Sequence, residues 1–342
     1  MEPLAIEALG MISSLGYSAE ANAALMRCGY NLSRYTGFRH PRTGKPFLGA
    51  EIEDLAALRG TEKLLAMISR AVGEVLQQIP HRKERFHLPL IFCFPEEGRE
   101  SYFLDDHFTS TLSKGFYNRF EGRGLSQEFL YARTGRTGFA YGLVKAASLI
   151  RSGEAAQALV VCADSLLSNL SLLHYLERSE NYQRVNDEDN RLGFIPGEAA
   201  VALLLGKPTP EREQTWITGV GFGQEEVTLD SEQPLLGLGL TRAVREAIRE
   251  ADIGASANGE HYFFQETVLV ASRVLETKRE NWPLWQPAEF IGEVGAAVGG
   301  AMAVMAHYAF EKGYAPGNRA LCQLSNDDTR RAAFVLERRT LP

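Results

Sequence analysis

The sequence has few cysteines, and none of them is placed as a metal or redox motif requires. Cys28, Cys93, Cys162 and Cys322 are widely separated and form no C-x-x-C pair, which argues against a zinc site and a thioredoxin-like site. Three of the four lie in apolar stretches, and we expect each to be a buried, reduced thiol. This usage is typical of a reducing compartment and predicts a chain without a metal or other cofactor.

Long hydrophobic runs and basic patches are also missing. The longest weakly polar run, Val294 to Ala306, is too short to span a bilayer. The first 16 residues carry Glu2 and Glu7 and no basic region, so we expect no signal peptide. The net charge is −7 and the basic runs are short, which argues against a nucleic-acid surface. We therefore expect a soluble, cytoplasmic protein that binds neither membranes nor nucleic acid.

Strand and helix patterns alternate along the chain, which predicts a parallel or mixed sheet covered by helices on both faces. Apolar runs predict a strand and turn at Pro3–Gly16, a turn and strand at Gly193–Gly206, and a strand running into a glycine loop at Trp216–Gly223. They also predict strands at Leu88–Phe94, Ala158–Asp164 and Ala332–Arg339. Amphipathic or small-residue patterns predict helices at Ser18–Met26, Leu55–Gln78, Gly138–Ile150, Leu166–Glu177, Leu240–Ala251 and Phe290–Lys312. Residues 96–130 are polar and aromatic, and we expect irregular structure there. The proline-rich segment Lys207–Glu211 is the best candidate for a linker.

Three stretches of the chain resemble the β-ketoacyl synthase branch of the thiolase superfamily. The first, TGRTGFAYGLVKAASLIRSGEAAQALVVCADS, is similar to the segment that carries the nucleophile in that family. The second, RLGFIPGEAAVALLLG, is similar to the family's R-x-G-F-x-x-G-E-G-A strand. The third, FIGEVGAAVGGAMAVMAHYAFEKGYAPGN, is similar to its I-G-H-x-x-G-A-A-G helix start. Their order and spacing agree with the family over most of the chain.

The resemblance implies an α/β fold, the five-layer αβαβα thiolase fold, built of two similar halves with mixed sheets. We place the halves at residues 1–207 and 208–342, with an aromatic-rich insertion at about 96–133 in the first. It also implies a dimer and a Cys-His-His site in each subunit. In that site a helix N-terminus lowers the pKa of the thiol, and backbone N–H groups bind an oxyanion.

The catalytic residues of the family do not carry over to this sequence. In the family the cysteine lies 17 residues before the glycine of a Gly-Glu turn, so counting back from Gly153 gives Arg136, and a slip of one residue gives Gly135. The first family histidine opens an H-G-T motif, and Asn258 stands there. The second follows the glycine of I-G-H, and Glu293 stands there. The resemblance therefore implies that the catalytic positions are degenerate and that no catalytic residue is expected.

The glycine-rich oxyanion loop of the family is absent as well, because residues 325–330 have the sequence SNDDTR. If Arg136 and Glu293 occupy the old catalytic positions, they face each other in a buried pocket and form an ion pair. We predict that Arg136 contacts Glu293 first and Glu260 second. The alternative is a collapsed pocket in which Arg136 points to solvent.

The region from Tyr102 to Tyr131 is rich in aromatic side chains, a composition typical of interface cores. We predict a protein interface there; the alternative is that these rings cover the protein's own core. The candidate interface residues are Phe103, Phe116, Tyr117, Phe120, Phe129 and Tyr131.

Histidines and loops elsewhere admit both a functional and a structural interpretation. We favour the structural one for His307, on a helix, and for His261, which follows the Asn-Gly-Glu turn. Ser165 after Asp164 is expected to be a helix cap rather than a nucleophile, despite His174. The glycines of Gly219–Gly223 are expected to form a tight turn rather than a dinucleotide loop. Asp105-Asp106-His107 is expected to be a solvated loop rather than a metal site.

Several functional hypotheses remain open at this point, and one of them is a binder of a small molecule or an acyl chain that keeps the family's tunnel. The leading one is a catalytically inactive β-ketoacyl synthase-like adaptor that dimerises with itself or with a related thiolase-like protein. One version resembles accessory proteins encoded beside type VI secretion effectors, with a secreted effector or its chaperone as partner. The second hypothesis is a chain-length-factor-like companion of an active ketosynthase. The third is a cysteine-independent acyltransferase or decarboxylase that uses His261 or Glu293 as a base.

Overall fold

The computed structural model describes residues 2–79, 88–99, 106–120, 125–177, 185, 193–228, 231, 233–249, 255–256, 261–274 and 284–340. The strands are β1 (Leu4–Ser13), β2 (Arg34–Arg39), β3 (Pro46–Gly49), β4 (Leu88–Cys93), β5 (Leu125–Ala132), β6 (Gln157–Ser165), β7 (Glu198–Gly206), β8 (Gln214–Gln224), β9 (Ala255–Ser256), β10 (Arg319–Ser325) and β11 (Arg330–Arg339). The helices are α1 (Ala19–Arg27), α2 (Gly60–Gln78), α3 (Asp106–Arg119), α4 (Gly138–Ser152), α5 (Asn169–Glu177), α6 (Leu238–Ile248), α7 (His261–Val274), α8 (Ala288–Ile291) and α9 (Val298–Glu311). Short 3₁₀ turns are formed by Glu53–Leu55, Gly135–Thr137 and Gly295–Ala297.

Two sets of strands repeat the same arrangement on either side of the molecule. The sheet has the order β5-β4-β6-β7-β1-β8-β11-β10-β9. Outward from β1, the strands β7 and β6 are antiparallel neighbours and β4 is parallel to β6. Outward from β8, the strands β11 and β10 are likewise antiparallel and β9 is parallel to β10. Within the described strands, the two sets join where Leu4 pairs with Ile217 and Ala5 with Trp216.

Three hydrophobic clusters lie between the layers of the molecule, where helices pack on strands. One cluster packs α2 and α3 against the outer face of β4, β6 and β7. A second packs α6 and α7 against the outer face of β10 and β11. The third and largest lies between the two sets of strands and contains α4 and α9 side by side. Because the order is helix, strand, helix, strand, helix, the five-layer arrangement with two similar halves is confirmed.

Local sequence signals explain several of these elements. Ser18 precedes α1, and its hydroxyl accepts a hydrogen bond from the amide of Ala21 at 3.2 Å, which caps the helix as its sequence predicts. Gly153 ends α4 with φ 79°, a left-handed conformation that glycine adopts without strain. β4, β6 and β7 are buried along their whole length, which is why their sequences are apolar without alternation.

The prediction of irregular structure over residues 96–130 is wrong. This region contains α3 and most of β5, and β5 is the outermost strand of the first set. Polar residues of α3 hide its short apolar stripe, of which Leu112 and Phe116 are buried. The insertion at 96–133 and the boundary at 207/208 remain predictions, although the connection between β7 and β8 includes that boundary.

Several predicted helices are shorter than their patterns suggest; α2 begins at Gly60 rather than at Leu55, and two others are interrupted or begin late. The stretch Phe290–Lys312 is interrupted because Gly292 adopts φ 68° and ψ −177°, so α8 ends before it and α9 begins only at Val298. The stretch Leu166–Glu177 becomes helical only at Asn169. Both breaks lie beside the buried polar groups described below.

The cysteine prediction is correct for three residues and wrong for one. Cys93, Cys162 and Cys322 are buried, whereas Cys28 is exposed at the end of α1. Across the described ranges, every helix is too short or too polar to cross a membrane. The same ranges contain no group of His, Cys, Asp and Glu side chains that could hold a metal ion.

Candidate functional site

The turn that leads into α4 contains Gly135, at a position where the backbone conformation favours glycine. Gly135 has φ 60°, and a Cβ added there would lie 2.6 Å from Oε2 of Glu96. The amide of Gly135 donates to the carbonyl of Phe94 at 3.2 Å, which ties this turn to the end of β4. The next residue, Arg136, is therefore the side chain that occupies the position before the helix, and it is 5% exposed.

Arg136 is held by carboxylates from the other half of the molecule. Its Nε donates to Oε1 of Glu293 at 3.1 Å, and Glu293 is 1% exposed. Its Nη1 donates to Oδ1 of Asp327 at 2.8 Å. The predicted pair of Arg136 and Glu293 is confirmed, and the solvent-facing alternative is wrong. The second predicted partner, Glu260, lies outside the described residues, as does Asn258.

Glu293 is placed by the break between α8 and α9. Its amide donates to the carbonyl of Ile195 at 2.7 Å, and its carbonyl accepts from the amide of Gly197 at 2.8 Å. This short bridge fixes the backbone beside the start of β7. The side chain turns back, so that Oε1 also accepts from the amide of Gly295 at 2.9 Å. One carboxylate oxygen therefore serves both the guanidinium and the turn before α9.

A second buried arginine lies in the same layer. Arg99 donates from Nε to Oε1 of Glu96 at 2.9 Å and from Nη1 to Oδ1 of Asp164 at 3.2 Å, and its Nη2 contacts both acids. Burial acts to lower the pKa of Arg99, but Asp164 and Glu96 outweigh it and raise the pKa above its ordinary value. Burial raises the pKa of Asp164, and the pair with Arg99 opposes that rise. Arg99 is thus a fixed positive charge.

The two inner helices are capped by polar side chains from opposite halves. Asn326, just after β10, accepts from the amide of Thr137 at 3.2 Å and donates to the carbonyl of Thr134 at 2.8 Å. Asp164, at the end of β6, accepts from the amide of Ala296 at 2.9 Å. Each side chain satisfies an amide at the start of a helix, a group that otherwise has no intrahelical partner. The two halves therefore cap each other's central helix.

No activated nucleophile is present at this site among the described residues. The hydroxyl of Thr137 donates to the carbonyl of Thr134 at 2.9 Å. Cys93 and Cys162 lie on the strands beneath α4 and are fully buried. Burial raises the pKa of the Cys162 thiol, so it is not a thiolate at neutral pH. The amides of Thr137, Gly295 and Ala296 are already bonded to side chains of this chain and do not form a vacant oxyanion hole.

Some members of this polar cluster could not be identified from sequence motifs. Asp327 belongs to the acidic SNDDTR loop, which signals the missing glycine loop but not a contact with Arg136. Glu96 and Arg99 belong to none of the sequence motifs. The only sequence signal for them is charge directly after a wholly apolar strand, β4, where a buried charge needs a partner.

Two histidines, His307 and His261, are the ones that the sequence offers as candidate catalytic residues. His307 on α9 shares a hydrogen bond of 2.9 Å between Nδ1 and the hydroxyl of Thr215. Burial, with a contribution from Arg338, lowers the pKa of His307 to about 4, so it is neutral at pH 7. His261 begins α7, and its side chain lies outside the described residues.

Two structural interpretations made from the sequence need correction. Ser165 does not cap a helix; its hydroxyl donates to Oε2 of Glu198 at 2.7 Å, which also pairs with Lys63 at 2.8 Å. The glycines of Gly219–Gly223 do not form a turn but lie within β8. A Cβ at Gly219 would lie 2.0 Å from the carbonyl oxygen of Ala247, so these glycines let α6 pack closely on the strand.

The aromatic region is divided between core and surface. Phe116 is 1% exposed and packs edge-on against Phe92 and Phe129, so it covers the protein's own core and cannot line an exposed interface. Phe120 and Phe129 are half-buried in the same cluster. Tyr131, on the edge strand β5, is 37% exposed. Phe103 and the side chain of Tyr117 lie outside the described residues, and Asp105 does too, whereas Asp106 and His107 belong to α3.

Comparison with known proteins agrees with the architecture. The family model of 3-oxoacyl-[acyl-carrier-protein] synthase III matches residues 132–223. No curated protein matches the sequence. One similar structure is a complex of a type II polyketide synthase acyl-carrier protein with its hexaketide-bound ketosynthase, AntDE:AntF. It has a TM-score of 0.77 and 13% identity, and the match covers 98% of this chain and 99% of that chain.

Two further similar structures contain a ketosynthase with a chain length factor. The complex of the ketosynthase ApeO with its chain length factor ApeC from Xenorhabdus doucetiae has a TM-score of 0.72 at 17% identity, covering 99% of this chain and 98% of that chain. The ishigamide ketosynthase/chain length factor has a TM-score of 0.74 at 16% identity, covering 99% of each chain. At these identities the likeness establishes the fold: the chain has the thiolase fold seen in ketosynthases.

Proposed function

We propose that this protein is a non-catalytic subunit of thiolase fold that acts by binding a protein partner. The observation that carries the proposal is the position of Arg136 at the start of α4. A helix N-terminus favours a negative group such as a thiolate. This chain has a cation there instead, which is held by Glu293 and Asp327. A thioester substrate would have to displace that buried ion pair. Displacement would separate a buried charge from its partner, which is energetically costly.

The partner that we favour is a related thiolase-like chain, as in the complexes of ketosynthases with chain length factors. β5 is the outermost strand of its set in the described sheet, and such an edge is a template for pairing with a second chain. A second surface lies on α4, which exposes Tyr141 and Val144 at 40% and 42%; the ring of Tyr141 packs against Phe222 of β8. Tyr131 on β5 extends the same kind of surface. A homodimer and a heterodimer are both compatible with this edge.

Mutation of the exposed face of α4 tests this assembly. We expect Tyr141→Glu/Val144→Glu to lower the mass measured by light scattering, or to release the stoichiometric partner purified from the native host. The matched control, Leu170→Glu/Val268→Glu, alters two exposed apolar residues on α5 and α7, and should leave the assembly intact. An assembly that survives the first variant and is lost in the second would contradict the proposal.

A catalytic alternative makes the opposite prediction for Glu293. A cysteine-independent decarboxylase or acyltransferase needs a base that is free to accept a proton. In Glu293, Oε1 already accepts from Arg136 and Gly295, and the buried Oε2, which makes no hydrogen bond among the described residues, is the oxygen that such a base would use. We expect no consumption of acetyl or malonyl thioesters by the wild-type protein. Turnover that is lost in Glu293→Gln would establish an enzyme and overturn the non-catalytic proposal.

The adaptor for type VI secretion is the finer version of this proposal, and it rests on sequence resemblance. It differs from the chain-length-factor version in the identity of the partner. Mass spectrometry of the complex purified from the native host separates them. An active ketosynthase as partner supports the companion version, and a secreted effector or its chaperone supports the adaptor version.

A further inference from the structure

Helix α4 lies between the two sets of strands, yet one line of its side chains faces solvent. The exposed positions include Tyr141, Val144, Lys145, Ser148 and Arg151, which follow one another at intervals of one, three or four residues. Side chains three and four residues apart are neighbours on the surface of a helix. These five residues therefore form a continuous stripe, which we call the α4 stripe. It combines two apolar side chains with two cations.

The two cations of the α4 stripe have no acidic partner. Helix α4 contains no Asp or Glu. In the part of the chain that the structure describes, neither Lys145 nor Arg151 forms a salt bridge. The next acid along the chain, Glu154, accepts instead from the hydroxyl of Ser152 at 2.8 Å. Both positive charges are therefore available to a partner.

Other exposed cations of the chain are paired, which makes the α4 stripe unusual. Lys312 pairs with Glu20 at 2.8 Å, and the guanidinium of Arg338 pairs with Glu213 at 2.7 Å. Arg151 is favourable by itself, because a cation suits the C-terminal end of a helix. Lys145 lies about two turns before that end and gains little from it. The charge at Lys145 therefore needs another explanation.

The α4 stripe is presented by a rigid part of the molecule. The opposite side of the helix, including Phe139, Leu143 and Ala146, is fully buried in the central hydrophobic cluster. The ring of Tyr141 rests against Phe222 of β8, with 4.5 Å between ring centroids. A surface that is already fixed in this way loses little conformational entropy when a partner binds.

We propose that the α4 stripe binds a different chain of similar fold whose facing helix carries Asp or Glu, rather than a second copy of this chain. In a two-fold symmetric dimer, the same patch of both copies meets. Lys145 and Arg151 would then face the same two cations of the second copy, with no acid on either helix. Like charges weaken such an association, whereas a facing acidic helix strengthens it. Tyr141 and Val144 provide the apolar contact in both cases.

The proposal rests on the partner-binding function proposed above and identifies the kind of partner for the same face. The two can fail separately. The partner-binding function fails if the assembly does not depend on Tyr141 and Val144. The choice of an acidic partner fails if the wild-type chain pairs with itself through these residues as tightly as with an acidic version of the stripe.

Mixing the chain with its own charge-reversed variant tests the proposal. Lys145→Glu/Arg151→Glu keeps Tyr141 and Val144 and provides the acidic facing helix. We expect analytical ultracentrifugation to give a Kd for the mixed dimer at least about tenfold lower than that for wild-type self-association. Added salt should weaken the mixed dimer but strengthen self-association of the wild type, because screening acts on attraction in one and on repulsion in the other.

A matched control separates the α4 stripe from total charge. Arg242→Glu/Arg245→Glu makes the same change in charge on exposed positions of α6, and it should not increase association with the wild-type chain. Lys145→Gln/Arg151→Gln should self-associate more tightly than the wild type, and it tests the repulsion if the glutamates disturb folding. Equal Kd values for self-association and mixing, a mixture that stays monomeric, or an equal gain with the α6 variant would each overturn the proposal.

Discussion

The starts of α4 and α9 occupy equivalent places in the two halves, yet one contains a buried cation and the other is bonded to two acids. The turn before α9 receives two acids, Glu293 and Asp164, which suit the positive end of a helix dipole. The turn before α4 receives a neutral cap, Asn326, and contains Arg136. A cation at a helix N-terminus is unfavourable unless other groups compensate it. The difference teaches that each helix start depends on the other half in its own way: α9 needs the acid Asp164 as a cap, whereas α4 needs the neutral cap Asn326 and acids that compensate Arg136.

The largest effect is expected at Asp164, because its loss removes both the fully buried carboxylate that holds Arg99 and the cap on the amide of Ala296, and leaves Arg99 with Glu96 alone among the described acids. We expect Asp164→Ala to lower the free energy of unfolding by about 3–5 kcal/mol, measured by urea denaturation. Glu213→Ala removes a carboxylate that pairs with Arg338 on the surface, and is the control. If both variants have the same midpoint, the buried cluster does not stabilise the start of α9.

A pH effect is expected next, at His307 on α9. Its pKa of about 4 in the folded protein lies below the value near 6.5 of an unfolded chain. Between these values the unfolded chain binds more protons, so stability falls as the pH falls from about 6.5 to 4, by up to about 3 kcal/mol. We expect His307→Gln to remove this component while keeping a partner for Thr215. Unfolding curves across this pH range measure it, and an unchanged slope in the variant would refute the assignment.

A smaller effect is expected at Glu293, because Arg136 keeps Asp327. We expect Glu293→Gln to cost about 2 kcal/mol, the value of one charged hydrogen bond. The double variant Arg136→Met/Glu293→Leu should recover only part of that stability, since an apolar pair replaces the buried ion pair at little cost, but the contacts of Asp327 with Arg136 and of Gly295 with Glu293 are lost as well. A double-mutant cycle with no coupling between the two positions would show that the contact has no energetic weight.

The smallest effect is expected at the neutral cap. Asn326→Ala removes an acceptor for Thr137 and a donor to Thr134, and we expect a loss of about 1–2 kcal/mol. Ser18→Ala removes the single cap of α1 and should cost about half as much. Equal losses would mean that the bond from Asn326 to Thr134 adds nothing to the cap.

Sequence reasoning succeeded where one apolar pattern or one motif determines the structure. The buried strands β4, β6 and β7 and the cap at Ser18 follow from local signals, and the five-layer order follows from the three motifs. The contact of Arg136 with Glu293 followed from two motif positions that must face each other in this fold. The resemblance, rather than periodicity, therefore carried the site prediction.

Contacts that depend on three-dimensional placement could not be foreseen. The acids Glu96 and Asp327 reach the arginines from loops whose paths no local pattern determines. Gly219 and its neighbours resemble a turn in sequence but serve close packing by α6, a requirement that comes from another element. The sequence pattern of residues 96–130 did not predict α3 and β5. In α3 the apolar side is narrow and the other side is polar, so its helical periodicity is weak.

The reciprocal caps also limit when the chain can complete its fold during synthesis on the ribosome. The two acids that hydrogen-bond to the guanidinium of Arg136, Glu293 and Asp327, lie far C-terminal to it in the chain. A nascent chain that exposes only the first half has β4, β6 and β7 and the nearby Glu96, but it lacks both of these acids. The described middle layer can therefore close only after Asp327 has been translated. Until then, the apolar faces of the inner strands are open to chaperones and to misassembly.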